Sequence, residues 1–185
     1  MKTSIHTPKF SLGKWCFLFI GGSILFTIVY ALATIPEHSI GNNWISGTLS
    51  FICGVMLLLM YRWLVRSYEE RKIEELSMQK CLKHTCIGFL RGMLMMAAII
   101  GVFAICGWYR ITGCSFDIAA IYRFLMTYFV VAVGEEIVFR GIMFRLIDSQ
   151  FNVWVALLIS AVVFGIAHII NPNATVVSTI GISLA

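Results

Sequence analysis

By length alone, 185 residues would suit one soluble domain. Composition excludes that reading: 59% of the chain is apolar, 12% is charged and the mean hydropathy is +0.90, values of a polytopic membrane protein. The net charge of +5 is spread along the flanks of apolar runs, which suits topology and contact with anionic lipid. No basic face with interleaved aromatics and no nucleic-acid motif is present, so no nucleic-acid partner is expected.

In chain order, residues 1–14 form a basic segment with Lys2, Lys9 and Lys14, and Trp15 to Ile35 is an apolar run long enough to span. Its Ala31-Leu32-Ala33 end imitates a signal-peptide cleavage site. The run exceeds the usual core of about 7–15 residues and more spans follow, so a retained helix is the better reading. A connection without Lys or Arg, 36–43, leads to a second span, Trp44 to Val65. The stretch from Arg66 to His84 is strongly charged, with Arg71 and Glu75 at i,i+4, and predicts a helix leaving the bilayer or lying on it. It serves as a solvated connector or meets a partner membrane protein. The third span is expected from Gly92 to Tyr109, with Arg91 snorkelling at its entrance. Two apolar runs follow, Ile118 to Phe144 and Val153 to Ile170, joined by a polar link, Asp148-Ser149-Gln150-Phe151-Asn152. A partial sixth helix is expected over Val176 to Ala185. The fold class is therefore all-α: a membrane bundle of five full spans plus a partial sixth, divided into N-terminal helices with their connector (1–117) and a core at 118–185.

Trp15, Trp44, Trp63, Trp108 and Trp154 all fall near predicted span ends, as an interfacial belt requires. Lys and Arg gather at the N-terminus, in the 66–84 connector and at Arg145, which places the N-terminus in the cytoplasm. The six cysteines form no metal pattern; Cys16, Cys53 and Cys106 read as small packing residues. Asn173-Ala174-Thr175 matches a glycosylation sequon, but Pro172 and the position at a membrane edge favour helix capping.

Chemistry concentrates in Gly134-Glu135-Glu136-Ile137-Val138-Phe139-Arg140-Gly141. Two carboxylates and a guanidinium at membrane depth are costly, about 2.5–3.5 kcal/mol each, and usually mark a site. Glu136 and Arg140 share a helix face at i,i+4 and can pair. Glu135 is turned by about 100° from Glu136 and can point elsewhere. His168 lies in the next run, four residues after Phe164. In an antiparallel hairpin centred on Gln150, Glu135 lies 15 residues before the centre and His168 18 after it. Their depths then differ by about 4.5 Å, less than one turn. A carboxylate level with an imidazole suits acid–base chemistry better than a core role.

The pattern Glu135-Glu136-x-x-x-Arg140 followed by Phe164-x-x-x-His168 resembles the intramembrane proteases of the CAAX-processing and bacteriocin-processing family (CPBP, also called Abi). Phe139-Arg140-Gly141 and Asn171-Pro172-Asn173-Ala174-Thr175 are similar too, and the resemblance runs from about Ile118 to the C-terminus. It implies an intramembrane endopeptidase of a bacterial cell membrane. Its substrates would be membrane-associated peptides: prenylated tails, signal-peptide remnants or bacteriocin leaders. Glu135 and His168 would activate water, and Glu136 and Arg140 would complete the site. The family ordinarily has a later motif with a second His, and no His follows His168; the expectation is a shortened form with an assembled but weak site. A divalent metal such as zinc is the conceivable cofactor, with Glu135 and His168 as its ligands. A catalytic zinc usually takes three protein ligands, which favours a site without a tightly bound metal. Two other classes stay open: a non-catalytic immunity or partner-binding protein on the same scaffold, and a proton relay through Glu135, Glu136 and His168.

Overall fold

The computed structural model describes residues 11–33, 35, 39–69, 81–113 and 116–184. They are helical, without a strand among them, and form six helices. We label these α1 (residues 12–33), α2 (Asn43–Glu69), α3 (Cys81–Ile105), α4 (Ile118–Gln150), α5 (Val153–Ile170) and α6 (Val176–Leu184). The first five are long and apolar enough to cross a membrane. The residues fall into two compact units, 1–61 with 119–185, and 62–118.

In the first unit α4 is the centre. α1 runs antiparallel to it: Gly22 meets Ile142, Gly134 lies under Tyr30, and the Trp15 indole N–H donates to the Leu146 carbonyl at 2.7 Å. α2 runs parallel to it. A Cβ on Gly47 would come within 2.8 Å of Tyr122, and one on Gly54 within 2.6 Å of Phe129. Between membrane helices lipid offers no hydrophobic drive, so association depends on close approach, and glycines under aromatic rings provide it. α5 is antiparallel to α4, around a cluster of Met143, Ile147 and Ala156 with Trp15 and Phe139 against it. α6 crosses α5 at Gly165, where any Cβ would strike the Ser183 hydroxyl.

The sequence expectation for the α4–α5 link needs correction. α4 continues helically through Gln150, and only Phe151 and Asn152 turn. The reason is local: Asn152 caps α5 by accepting from the Trp154 and Val155 amides, 3.0 Å each. The hairpin is centred between Phe151 and Asn152 rather than on Gln150. Ile147 with Ala156, Phe139 with Phe164, and Glu135 with His168 are all symmetric about that point. The expected depth offset disappears. α6 is capped as expected: the Ser178 amide donates to Thr175 Oγ1 at 3.1 Å, and the Thr175 amide to Ser178 Oγ at 2.8 Å.

In the second unit α3 begins at Cys81, well before the expected Gly92, and Arg91 lies inside the helix. It ends at Ile105 rather than Tyr109. Gly107 takes φ +74°, Trp108 N–H donates to the Phe103 carbonyl at 2.9 Å and Gly107 N–H to that of Ala104 at 3.1 Å. This is a Schellman stop, sealed by ring contact between Phe103 and Trp108. Most of the charged helix expected at 66–84 lies outside the described residues. Trp15 also departs from the belt reading: it is half-buried and packs on Phe19. Trp44, Trp63, Trp108 and Trp154 are exposed near helix ends. Cys16 and Cys53 are half-buried as packing residues would be, whereas Cys106 is exposed.

Candidate active site

Glu135 closes the regular part of α4. From Glu136 to Phe144 the backbone switches to the wider i→i+5 pattern, a nine-residue π-helical stretch of a kind often found at functional sites. Both carboxylates and Arg140 therefore sit at a change of helical pitch, which i,i+4 reasoning does not reveal. Glu136 and Arg140 form the expected ion pair. It is not sunk among helices: the side chains are 57% and 74% exposed, and both line a groove.

Glu135 faces α5. Its Oε1 lies 3.7 Å from His168 Nε2, and the two side chains are 32% and 20% exposed. His168 is the hinge between the regular part of α5 and its last tight turn. Its Nδ1 is 2.8 Å from the Phe164 carbonyl one turn back. That carbonyl can only accept, so Nδ1 carries the proton, and in the neutral ring Nε2 offers its lone pair toward Glu135. The ring is steadied by Phe164, centroids 4.4 Å apart, and Phe164 meets Phe139 of α4 edge-on at 4.8 Å. Phe139 and Phe164 thus hold the imidazole and belong to the site as supports.

A separation of 3.7 Å is too long for a direct hydrogen bond. It suits a shared water: one oxygen about 2.8 Å from each atom closes a triangle on that base. The groove beside it has a volume of ≈ 800 Å³. Glu135, Glu136 and Arg140 form its polar edge, Leu157, Leu158 and Phe164 its apolar wall, and Ser183 of α6 contributes a hydroxyl. The arrangement can hold an apolar, extended ligand against an activated water.

With that geometry in hand, comparison with known families is informative. Residues 117–185 match the model of the family described as Type II CAAX prenyl endopeptidase Rce1-like. This stretch is a domain of that family. The family is one of endopeptidases, and the five candidate spans are those of a multi-pass membrane protein. No curated protein and no solved structure gives a match. The Rce1-like domain holds all four residues singled out in the sequence: Glu135, Glu136, Arg140 and His168. Among the described residues no group of three or more His, Cys, Asp or Glu gathers that could hold a metal. Glu135 and His168 by themselves are one fewer than the three protein ligands usual for a catalytic zinc.

Sequence reasoning missed Tyr30 and Tyr61, which press on the glycines at either end of the motif. The available signal was Gly134 and Gly141 themselves, since glycine inside a membrane helix marks close approach.

Proposed function

We propose that the protein is an intramembrane endopeptidase that hydrolyses membrane-associated peptides with a water held between Glu135 and His168. The observation that carries this reading is the 3.7 Å approach of Glu135 Oε1 to His168 Nε2 beside an open, largely apolar groove. Glu135 is the general base. It takes a proton from the water as the water oxygen bonds to the scissile carbonyl carbon, then returns it to the amide nitrogen as the C–N bond breaks. His168 Nε2 accepts the water's other hydrogen bond and so aims its lone pair; the Phe164 carbonyl fixes the tautomer. Glu136 is paired with Arg140, whose positive charge offsets part of the negative charge beside Glu135. The guanidinium also brings positive charge to the groove edge where the oxyanion develops.

The apolar wall suits the side chains or lipid tail of a CAAX-type, leader or bacteriocin-type peptide presented from the bilayer. With the N-terminus cytoplasmic, the Phe151–Asn152 turn and the Trp154 end of the groove face the cytoplasm. Glu135→Gln tests the reading. Gln keeps the shape and cannot take the proton, so cleavage of a prenylated or leader-type peptide in liposomes should disappear while the melting temperature holds. Cleavage at the wild-type rate by this variant would sink the proposal.

A further inference from the structure

The motif is bracketed by glycines, and each has a tyrosine ring on its bare face. At Gly134 a Cβ would run into the ring of Tyr30 from α1, and at Gly141 it would lie 3.1 Å from Cε2, Cζ and Oη of Tyr61 from α2. Tyr61 is buried, 3% exposed, and Phe26 meets it edge-on at 6.2 Å. Its hydroxyl donates to the Gly141 carbonyl at 3.3 Å, and Arg145 Nε donates to the same carbonyl at 2.9 Å. That carbonyl belongs to the π-helical stretch. The two glycines flank the change of pitch, Gly134 in the regular part of α4 and Gly141 in the wider stretch, and each meets a ring from a different helix. Glu135, Glu136 and Arg140 look into the groove.

Where the hydrogen bonding changes from i→i+4 to i→i+5 the rotation per residue changes too, so the direction of the side chains after Glu135 depends on where that switch is held. A turn of one residue's worth, about 100°, would carry Glu135 away from His168. Contacts from neighbouring helices can hold that switch, and the two rings are the ones seated on the glycines at either end of the motif. We propose that Tyr30 and Tyr61 are positioning residues: a pair of rings seated on Gly134 and Gly141 that fixes the rotation of the motif helix, turning Glu135 to His168 and Arg140 into the groove. The proposal rests on Glu135 as the general base for its kinetic arm and on geometry alone for its labelling arm.

The test compares Gly134→Ala, the double variant Gly134→Ala with Tyr30→Val, and Tyr61→Phe in the full chain. Gly134→Ala forces helix and ring apart; kcat should fall about a hundredfold at little-changed KM, the cost of a misplacement of about 1 Å. Tyr30→Val makes room for the new methyl and should restore most of that loss. Tyr61→Phe keeps the ring and removes one hydrogen bond, so kcat should fall about threefold to tenfold with folded yield unchanged. In parallel, Arg140→Cys in a chain whose native cysteines are Ser reports rotation without catalysis. A charged thiol reagent should label it more slowly once Gly134→Ala is added, and Tyr30→Val should return the rate. A folded Gly134→Ala protein with wild-type kcat and labelling overturns the clamp, as does a double variant in which neither recovers. If Gly134→Ala does not fold, unchanged kcat in Tyr61→Phe overturns it. Absence of Glu135-dependent cleavage in the wild type would defeat the protease reading while the labelling arm still decides the clamp.

Discussion

Helices α3 and α4 both qualify as membrane spans, and α3 is the more apolar of the two. Yet within its own unit every position of α3 from residue 83 to 105 is exposed except half-buried Gly101, and Gly88, Gly92 and Gly101 have no packing neighbour there within 4 Å among the described residues. α4, with two carboxylates and a guanidinium in its middle, buries Val130, Ile137, Ile142 and Leu146 and sits under rings at Gly134 and Gly141. Hydropathy decides what enters a bilayer. It does not decide what packs there, because lipid tails solvate Leu as well as another helix does. Packing needs complementary shape, and the site is built where shape is supplied.

The contrast can be tested, beginning with the most severe change. Glu135→Gln should cut cleavage by about 10²–10⁴-fold, the range for a lost general base, while His84→Gln in α3 leaves the rate alone. Equal losses at both would erase the distinction between the two helices. His168→Gln should cost about 10²-fold in kcat, since the carboxylate remains but the water loses its second anchor. A rate within a factor of two of wild type, read in the same liposome assay, would remove His168 from the site.

For packing, Gly54→Ala places a methyl 2.6 Å from the Phe129 ring and should destabilise the fold, by about 1–3 kcal/mol. The same exchange at Gly92 meets open space and should stay within about 0.5 kcal/mol. Thermal melts in detergent separate the two, and comparable shifts would contradict the packing described for α2. Asn152→Ala removes the cap that ends the α4–α5 turn, a loss of about 1 kcal/mol. No change in melting temperature would show that the turn is held by other means. A small stability effect is expected at Arg140→Ala as well. Its ion pair is largely exposed in the groove, so the loss should be below about 1 kcal/mol although turnover falls. A collapse of folded yield would mark the pair as structural instead.

The sequence by itself determined the class and pointed to the candidate residues. Run lengths set by bilayer thickness gave the five spans and the short sixth helix, and charge at membrane depth singled out Glu135, Glu136, Arg140 and His168. Spacing from a turn also brought Glu135 and His168 to nearly one level. Tertiary structure decided the rest. The Asn152 cap moved the turn centre and cancelled the offset between the two residues. The π-helical stretch after Glu135, the Phe139–Phe164–His168 stack and the rings of Tyr30 and Tyr61 on Gly134 and Gly141 have no periodic signature. Each depends on which face of one helix meets which face of another, and that choice is made by side-chain shape across the interface, which one-dimensional hydropathy does not carry.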